Sequence, residues 1–297
     1  MHLVRRDDAG TVWPPQRQVL RQFRALRRVA WMLLFTPLAC VIQSVLLACS
    51  PSGRVAFALF YWQSIARMLG LQVRVIGALA PRAGANRRPV IYVCNHASWL
   101  DIPAIGGVLR ACFVSKDDVA AWPIVGTIAR LGRTVFVSRS RQGISRERDQ
   151  MQDRLKAGDD LILFPEGTSS DGSRVLPFHS SFFAAAYGDA MPLIQPVSVV
   201  YDRLAGLPVG RSSRAVFAWY GDMSLAPHVW RLAQWRGKRV TLLFHQPMDP
   251  ADYPSRKALS QAAWNVVADG AAALRQNRPA QPLPEPTRAG VPEPAFV

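Results

Sequence analysis

Between Asp8 and Asp101 the chain has no acidic residue, although arginine recurs throughout that stretch. Whatever meets this part of the molecule is drawn by positive charge alone. Lysine is scarce as well, since most of the 36 cationic residues are arginine. Cysteine is sparse: Cys40, Cys49, Cys94 and Cys112 show no CxxC spacing and lie in apolar surroundings. That excludes a disulfide framework or zinc site and fits small buried hydrophobes in a reducing compartment. The five histidines, His2, His96, His179, His228 and His245, form no HExxH-type cluster, so no metal cofactor is expected. No GxGxxG and no P-loop follows the first strand-like run, which leaves a nucleotide-binding fold without support. No internal repeat is found.

What is present points towards lipid. The 297 residues suit one large domain with appendages. Hydrophobic residues make up 49%, and a mean hydropathy of +0.06 is high for a soluble enzyme. A net charge of +16 and a pI near 10.9 call for a polyanionic partner: nucleic acid, an anionic membrane surface, or an acidic carrier. The basic residues concentrate beside apolar segments and no RNP, KH or zinc-finger pattern occurs, so nucleic acid is not expected.

Residues 1–18 are polar, contain Pro14-Pro15, and read as a mobile N-terminus. From Val19 a helical pattern sets in, with Val19, Phe23, Leu26 and Ala30 on one face and Arg21, Arg24 and Arg28 opposite. Such a basic amphipathic turn suits the headgroup layer of an anionic membrane. It leads into 29–50, 22 residues without charge. At about 1.5 Å per residue these reach across the roughly 30 Å hydrocarbon core. After the turn Ser50-Pro51-Ser52-Gly53 comes a second apolar segment, 55–69, interrupted by Gln63, Ser64 and Arg67. Arginines flank both outer ends of the pair, and such flanks stay cytoplasmic. Residues 19–70 are therefore expected to form a membrane-associated helical hairpin. It dips into the inner, cytoplasmic membrane, with the catalytic domain on the cytoplasmic face. A single crossing is the rival arrangement; buried helices of a soluble core are the third.

From 71 to 277 apolar strands alternate with helical patterns. Strands are expected at 72–75, 90–94, 112–115, 134–137, 161–164, 193–200, 215–220 and 240–245. Helices are expected at 102–109, 122–130, 146–157, 182–188 and 256–276. This is α/β, with a mostly parallel or mixed sheet flanked by helices and preceded by the hairpin. The tail 278–297, rich in proline, reads as disordered.

Two strand ends carry candidate chemistry. Past the strand 90–94 comes Asn95-His96-Ala97-Ser98-Trp99-Leu100-Asp101, and past 161–164 come Pro165-Glu166-Gly167-Thr168. On one continuous helix His96 and Asp101 would point about 140° apart. With His96 in the strand-to-helix loop and Asp101 at the helix start, the carboxylate can hold Nδ1–H. Nε2 is then left to take a proton from a substrate hydroxyl. Pro103 fits the first turn of that helix, where its missing N–H is harmless. No nucleophilic serine motif accompanies the pair. On the two residues alone, a capping aspartate and a loop histidine are the better explanation.

The context adds to them. Asn95-His96-x-Ser98-x2-Asp101 resembles the NHxSxxD block of the glycerophospholipid acyltransferases, the family that includes bacterial 1-acyl-glycerol-3-phosphate acyltransferase. Further blocks follow in order: Lys116-x6-Pro123-x2-Gly126, then Gly132-Arg133-Thr134-Val135-Phe136-Val137-Ser138-Arg139; Phe164-Pro165-Glu166-Gly167-Thr168; and Met191-Pro192-Leu193-Ile194-Gln195-Pro196-Val197. The likeness spans roughly residues 70–200.

The resemblance implies that His96 deprotonates the acceptor hydroxyl for direct attack on the thioester of acyl-CoA or acyl-acyl-carrier protein. Asp101 then orients the imidazole and stabilises the imidazolium. Arg139 and the Glu166-Gly167-Thr168 loop hold the acceptor's polar head, and Lys116 is a further substrate-binding candidate. The implied function is membrane-bound O-acyl transfer to a lysolipid, 1-acyl-sn-glycerol-3-phosphate first, with no cofactor beyond the acyl thioester. One departure weakens the case for a phosphomonoester acceptor, with Arg174 and Arg133 as candidates to compensate. Lysophosphatidate acyltransferases usually carry arginine after the Glu-Gly-Thr turn, and here Ser169 stands there, with Asp171 nearby. Residues 169–178 and 219–223 resemble instead the lyso-ornithine lipid branch, for whose amino-acid head Asp171 is a sensible partner. A catalytically silent membrane protein keeping the same fold is the alternative of another class.

Overall fold

The computed structural model describes residues 15–81, 87–137 and 143–283. Arg139, most of the segment expected to be a mobile N-terminus, and most of the proline-rich tail lie outside the described residues.

Two helices open the fold, α1 (Pro15–Cys49) and α2 (Pro51–Leu69). Ser50 separates them by turning extended and N-capping α2, its side chain accepting from the Gly53 N–H. Pro51 takes the first helical position, where no N–H is missed. Gly70 ends α2 at φ 69°, a left-handed cap that favours glycine. Next come β1 (Leu71–Ile76), β2 (Val90–Cys94), α3 (Asp101–Gly106), β3 (Ala111–Lys116), α4 (Asp117–Ala120) and α5 (Val125–Leu131). They are followed by β4 (Val135–Val137), α6 (Gly143–Lys156) and β5 (Asp160–Leu163). A 3-10 segment (Ser180–Tyr187) leads to β6 (Leu193–Leu204), β7 (Leu207–Pro208), α7 (Arg211–Arg214), α8 (Leu225–Gln234), β8 (Lys238–Phe244) and α9 (Arg256–Arg275).

The strands form one sheet in the order β1-β8-β6-β2-β5-β3-β4, with β7 on β6. From β6 to β4 neighbours are parallel, whereas β8 runs antiparallel to β6 and carries β1 beside it. The mixed, mostly parallel sheet expected from the sequence is therefore present. The chain leaves β2 for β3 and β4, returns to β5, then crosses to β6 on the other side of β2. Connections thus depart from β2 in both directions, where an open α/β sheet leaves a crevice at the carboxyl ends of its strands.

Side-chain alternation divides the core into two layers. Tyr92, Cys94, Ile162, Leu242 and Phe244 face α2 and α3, and Leu232 of α8 joins them. Ile91, Val93, Leu161 and Leu163 face α6, Phe183 and α9. Helix α1 packs outside the first layer, against α2, α8 and α5. Its other flank is bare: Leu20, Phe23, Leu34 and Val41 are each more than 60% exposed.

Three expectations need correcting. Residues 215–220 form no strand. After α7 the N–H groups of Val216, Phe217 and Ala218 close turns, and that of Trp219 bonds to Ala97 O at 2.9 Å. A short buried apolar run satisfies a strand pattern equally well when its backbone is paired elsewhere. Helix α8 was not anticipated. Its pattern is short and carries Pro227, which the first turn tolerates. The helix expected at 182–188 is 3-10 rather than α.

Candidate active site

The end of β2 is extended by a side chain. Asn95 Nδ2 donates to Val199 O at 2.9 Å, and Val199 N–H donates to Asn95 Oδ1 at 2.7 Å. The asparagine amide thus continues the β2–β6 ladder by one rung and fixes where the loop begins. His96 follows. Its Nδ1 lies 2.8 Å from Asp101 Oδ2, and its ring stacks on Phe164, centroids 4.1 Å apart and planes 22° from parallel.

Asp101 opens α3 and is fully buried. Oδ2 also accepts the N–H groups of Ala97 (2.8 Å) and Ser98 (3.0 Å), so the loop wraps around this carboxylate. Oδ1 accepts the hydroxyl of Tyr201 at 2.5 Å. An acceptor-only group beside Nδ1 selects the tautomer with hydrogen on Nδ1. Nε2 faces away from the carboxylate on a ring still 19% exposed.

Glu166 sits at the end of β5, also buried, and joins two loops. Oε1 accepts the His96 N–H at 2.7 Å and Oε2 accepts the Leu176 N–H at 2.9 Å. Burial pushes its carboxyl up to about 8, against the two N–H donors that favour the ionised form. With one N–H donor on each oxygen, this side chain ties the two loops together. Gly167 turns at φ 66°, its N–H bonding back to Phe164 O, and leaves Thr168 exposed. Ser170 closes the far side, with N–H and hydroxyl both donating to His96 O, at 2.9 and 3.1 Å.

Lys116 ends β3 on the same edge, half-buried and level with Val137 of β4. It stands two strands from β2, about 10 Å along the sheet. Arg139 follows β4 but lies outside the described residues. The structure therefore brings His96, Asp101, Glu166 and Gly167 together and sets Lys116 further along the same rim. Reasoning from sequence missed Tyr201, Ser170 and Trp219. The alternation Val197, Val199, Tyr201 could have exposed the first, because it aims a hydroxyl into the face where Asp101 is buried. Among the described residues no group of His, Cys, Asp or Glu is placed to hold a metal.

An imidazole backed by a buried carboxylate and carried at a strand end has the chemistry to take a proton from an alcohol and return it to a leaving group. Fold and site together are compatible with a transferase that acts on a hydroxyl.

Residues 72–200 match the family described as Acyltransferase. A lyso-ornithine lipid O-acyltransferase of Brucella abortus is 37% identical over 215 residues, 70% of this chain and 79% of that protein. One of Rhodobacter capsulatus is 39% identical over 207 residues, 68% and 71% of the two chains. A 1-acyl-sn-glycerol-3-phosphate acyltransferase of Neisseria gonorrhoeae is 30% identical over 208 residues, 68% and 76%. The chain belongs to the acyltransferase family and is a lysolipid O-acyltransferase. Its fold is that of the 1-acyl-sn-glycerophosphate acyltransferase PlsC of Thermotoga maritima, at TM-score 0.62 and 24% identity over 89% of this chain and all of that one.

Proposed function

We propose that this protein transfers a fatty acyl group from an acyl thioester, acyl-CoA or acyl-acyl-carrier protein, to the hydroxyl of a lyso-ornithine lipid. His96 Nε2 takes the hydroxyl proton as the oxygen attacks the thioester carbonyl. Asp101, bonded to Nδ1, supports the imidazolium. Collapse of the tetrahedral intermediate breaks the C–S bond, and the imidazolium returns its proton to the departing thiolate. Ester and thiol are the products, and no charge or atom is left over.

The observation that carries the acceptor is the turn after Glu166. Arginine, which would grip a phosphomonoester in two places, is replaced by Ser169, and Asp171 stands exposed nearby. The Ser173 hydroxyl and N–H both donate to Asp171 Oδ1 and hold its carboxyl below the usual range, so it is ionised at neutral pH. Such a carboxylate attracts an ornithine ammonium and repels a phosphate. The more similar curated relatives named above bear the same substrate in their names. Lysophosphatidate, the acceptor first expected, is the second reading, favoured by the Neisseria relative. Offering the purified protein one acyl donor with each lysolipid tests the choice. Faster acylation of lysophosphatidate than of lyso-ornithine lipid overturns it, and thioester loss without product lipid would indicate hydrolysis.

The same proposal places α1 in the plane of the inner membrane, with the catalytic domain on the cytoplasmic face. Among the described residues α1 is the one helix long and apolar enough to cross a bilayer. It is, however, tied to the domain near both ends. Arg28 Nη1 donates to Ala233 O at 2.9 Å and Gln43 Nε2 to Leu131 O at 3.0 Å. Those fifteen residues span about 22 Å of helix. A perpendicular crossing would pull one tie from the domain; lying flat keeps both and turns the bare apolar flank to lipid.

A further inference from the structure

The end of α8 collects several positively charged side chains. A helix leaves its last carbonyls unpaired, and cations are favoured there. Here three side chains compete for that role. Arg24 Nη1 donates to Gln234 O at 2.6 Å, Arg28 Nη1 to Ala233 O and Trp235 O at 2.9 and 2.6 Å, and Lys238 Nζ to Leu232 O at 2.5 Å. Lys238 is fully buried, and burial, with Arg28 and Arg24 close by, lowers its ammonium to about 6. The charge to be balanced at neutral pH is therefore that of the arginines. Arg21 lies over the Trp235 ring, 4.5 Å from its centre. Arg27 and Arg236 are exposed at the same corner. The charges felt by Arg24 and Arg28 are all arginines, and among the described residues no carboxylate pairs with Arg24, Arg27, Arg28, Arg236 or Lys238.

A helix end supplies only about half a negative charge. That cannot balance such a group, so the corner is completed by an anion from outside. The setting says which kind. Val19, Leu20, Phe23 and Leu26, interleaved with these arginines, are 57–66% exposed. An anion lodged here has hydrocarbon beside it. We propose that the corner formed by α1, the end of α8 and the start of β8 binds the phosphate of an anionic phospholipid headgroup, with Arg24, Arg27 and Arg236 as its ligands. The site deepens the membrane reading given above and rests on it. It makes the lipid a clamp between the in-plane helix and the catalytic body, rather than a general attraction to a charged surface.

Sedimentation with vesicles tests this on the full-length protein. Wild type should bind phosphatidylcholine vesicles through its apolar flank and vesicles containing phosphatidylglycerol much more tightly. Replacing Arg27→Gln and Arg236→Gln, which leaves the α8 cap intact, should lose about fivefold of the phosphatidylglycerol affinity per arginine. Binding to phosphatidylcholine alone should not change. Arg256→Gln with Lys257→Gln, exposed at the start of α9, removes the same charge elsewhere and should cost little. Equal losses in the two pairs would reduce the effect to net charge and overturn the site. Inorganic phosphate raising the melting temperature of wild type as much as the anionic vesicles do would make the ligand a free anion and overturn it too. If wild type binds neither vesicle, the membrane reading itself fails; binding both equally sinks only the phosphate site.

Discussion

Tyr201 donates its hydroxyl to the oxygen of Asp101 that His96 does not use, across 100 residues of chain. The tyrosine is buried and stacked on Phe217, centroids 4.7 Å apart. Replacing it with phenylalanine keeps the stack and leaves Oδ1 buried without a donor. Leaving a buried acceptor unpaired costs about 1–3 kcal/mol. Tyr201→Phe should therefore lower the melting temperature. It should also reduce kcat by roughly tenfold, the rate equivalent of about 1.4 kcal/mol, with KM nearly unchanged because the group does not touch substrate. Steady-state kinetics beside a thermal melt checks both; an unchanged kcat would remove Tyr201 from the positioning of Asp101.

His96→Ala should lose the general base and with it about a hundredfold to ten-thousandfold in turnover. Association with vesicles should be intact, because the exposed apolar residues of α1 are unchanged. Asp101→Asn is expected to fall nearly as far for another reason. Oδ2 accepts from Nδ1 and two backbone N–H groups. An amide nitrogen in that position would oppose three donors; turned the other way it can donate to the Tyr201 oxygen, but the neutral amide no longer stabilises an imidazolium. Normal turnover in both variants would dismiss the base assignment and revive the silent-protein alternative.

Much of this was legible in the sequence because the site is built from short runs at strand ends. The strand 90–94 was placed to the residue, and the turn joining His96 to Asp101 followed from helix geometry and Pro103. What escaped lies far away in sequence. Tyr201 stands one residue beyond the strand expected at 193–200. Trp219 meets the loop from a segment expected to be a strand itself. The role of Glu166 could be read only in coordinates. Nothing in the sequence says that the two oxygens of this turn residue accept the N–H groups of His96 and Leu176.

Glu166 gives the site a dependence on pH. Its folded-state value near 8 lies above the ordinary 4.5, chiefly through burial. A group raised on folding contributes stability that is full below its unfolded value and is lost as pH rises through the folded one. Glu166 alone should therefore cost stability as pH rises from 4.5 to about 8. His228, His245 and Lys238 give the opposite slope, so the share of Glu166 is read as the difference between wild type and variant. In Glu166→Gln the Glu166 slope should flatten, while one of the two backbone N–H groups loses its acceptor. Melting temperatures across this range for the two proteins decide the matter, and parallel curves would clear Glu166 of the dependence.

Trp99, inside the catalytic loop, donates its indole N–H to His228 Nδ1 at 2.8 Å. His228 lies on α8, the helix on which α1 rests, so this bond links the membrane-side layer to the segment carrying His96 and Asp101. Burial first, then Arg231, pushes the imidazole down to about 4, which keeps it neutral and able to accept at physiological pH. A group lowered on folding contributes stability that is present above its unfolded value, here 6.5, and is lost as pH falls towards the folded one. His228→Leu should remove part of the destabilisation between pH 6.5 and 4; His245, likewise lowered to about 4 by burial, should supply the remainder. At neutral pH, Trp99→Phe and His228→Leu should each cost about 1 kcal/mol, the usual net worth of one hydrogen bond. The double variant should cost less than the sum, since either change alone breaks the same bond. Additive losses, or an acid profile untouched by His228→Leu, would show that α8 and the loop stand independently.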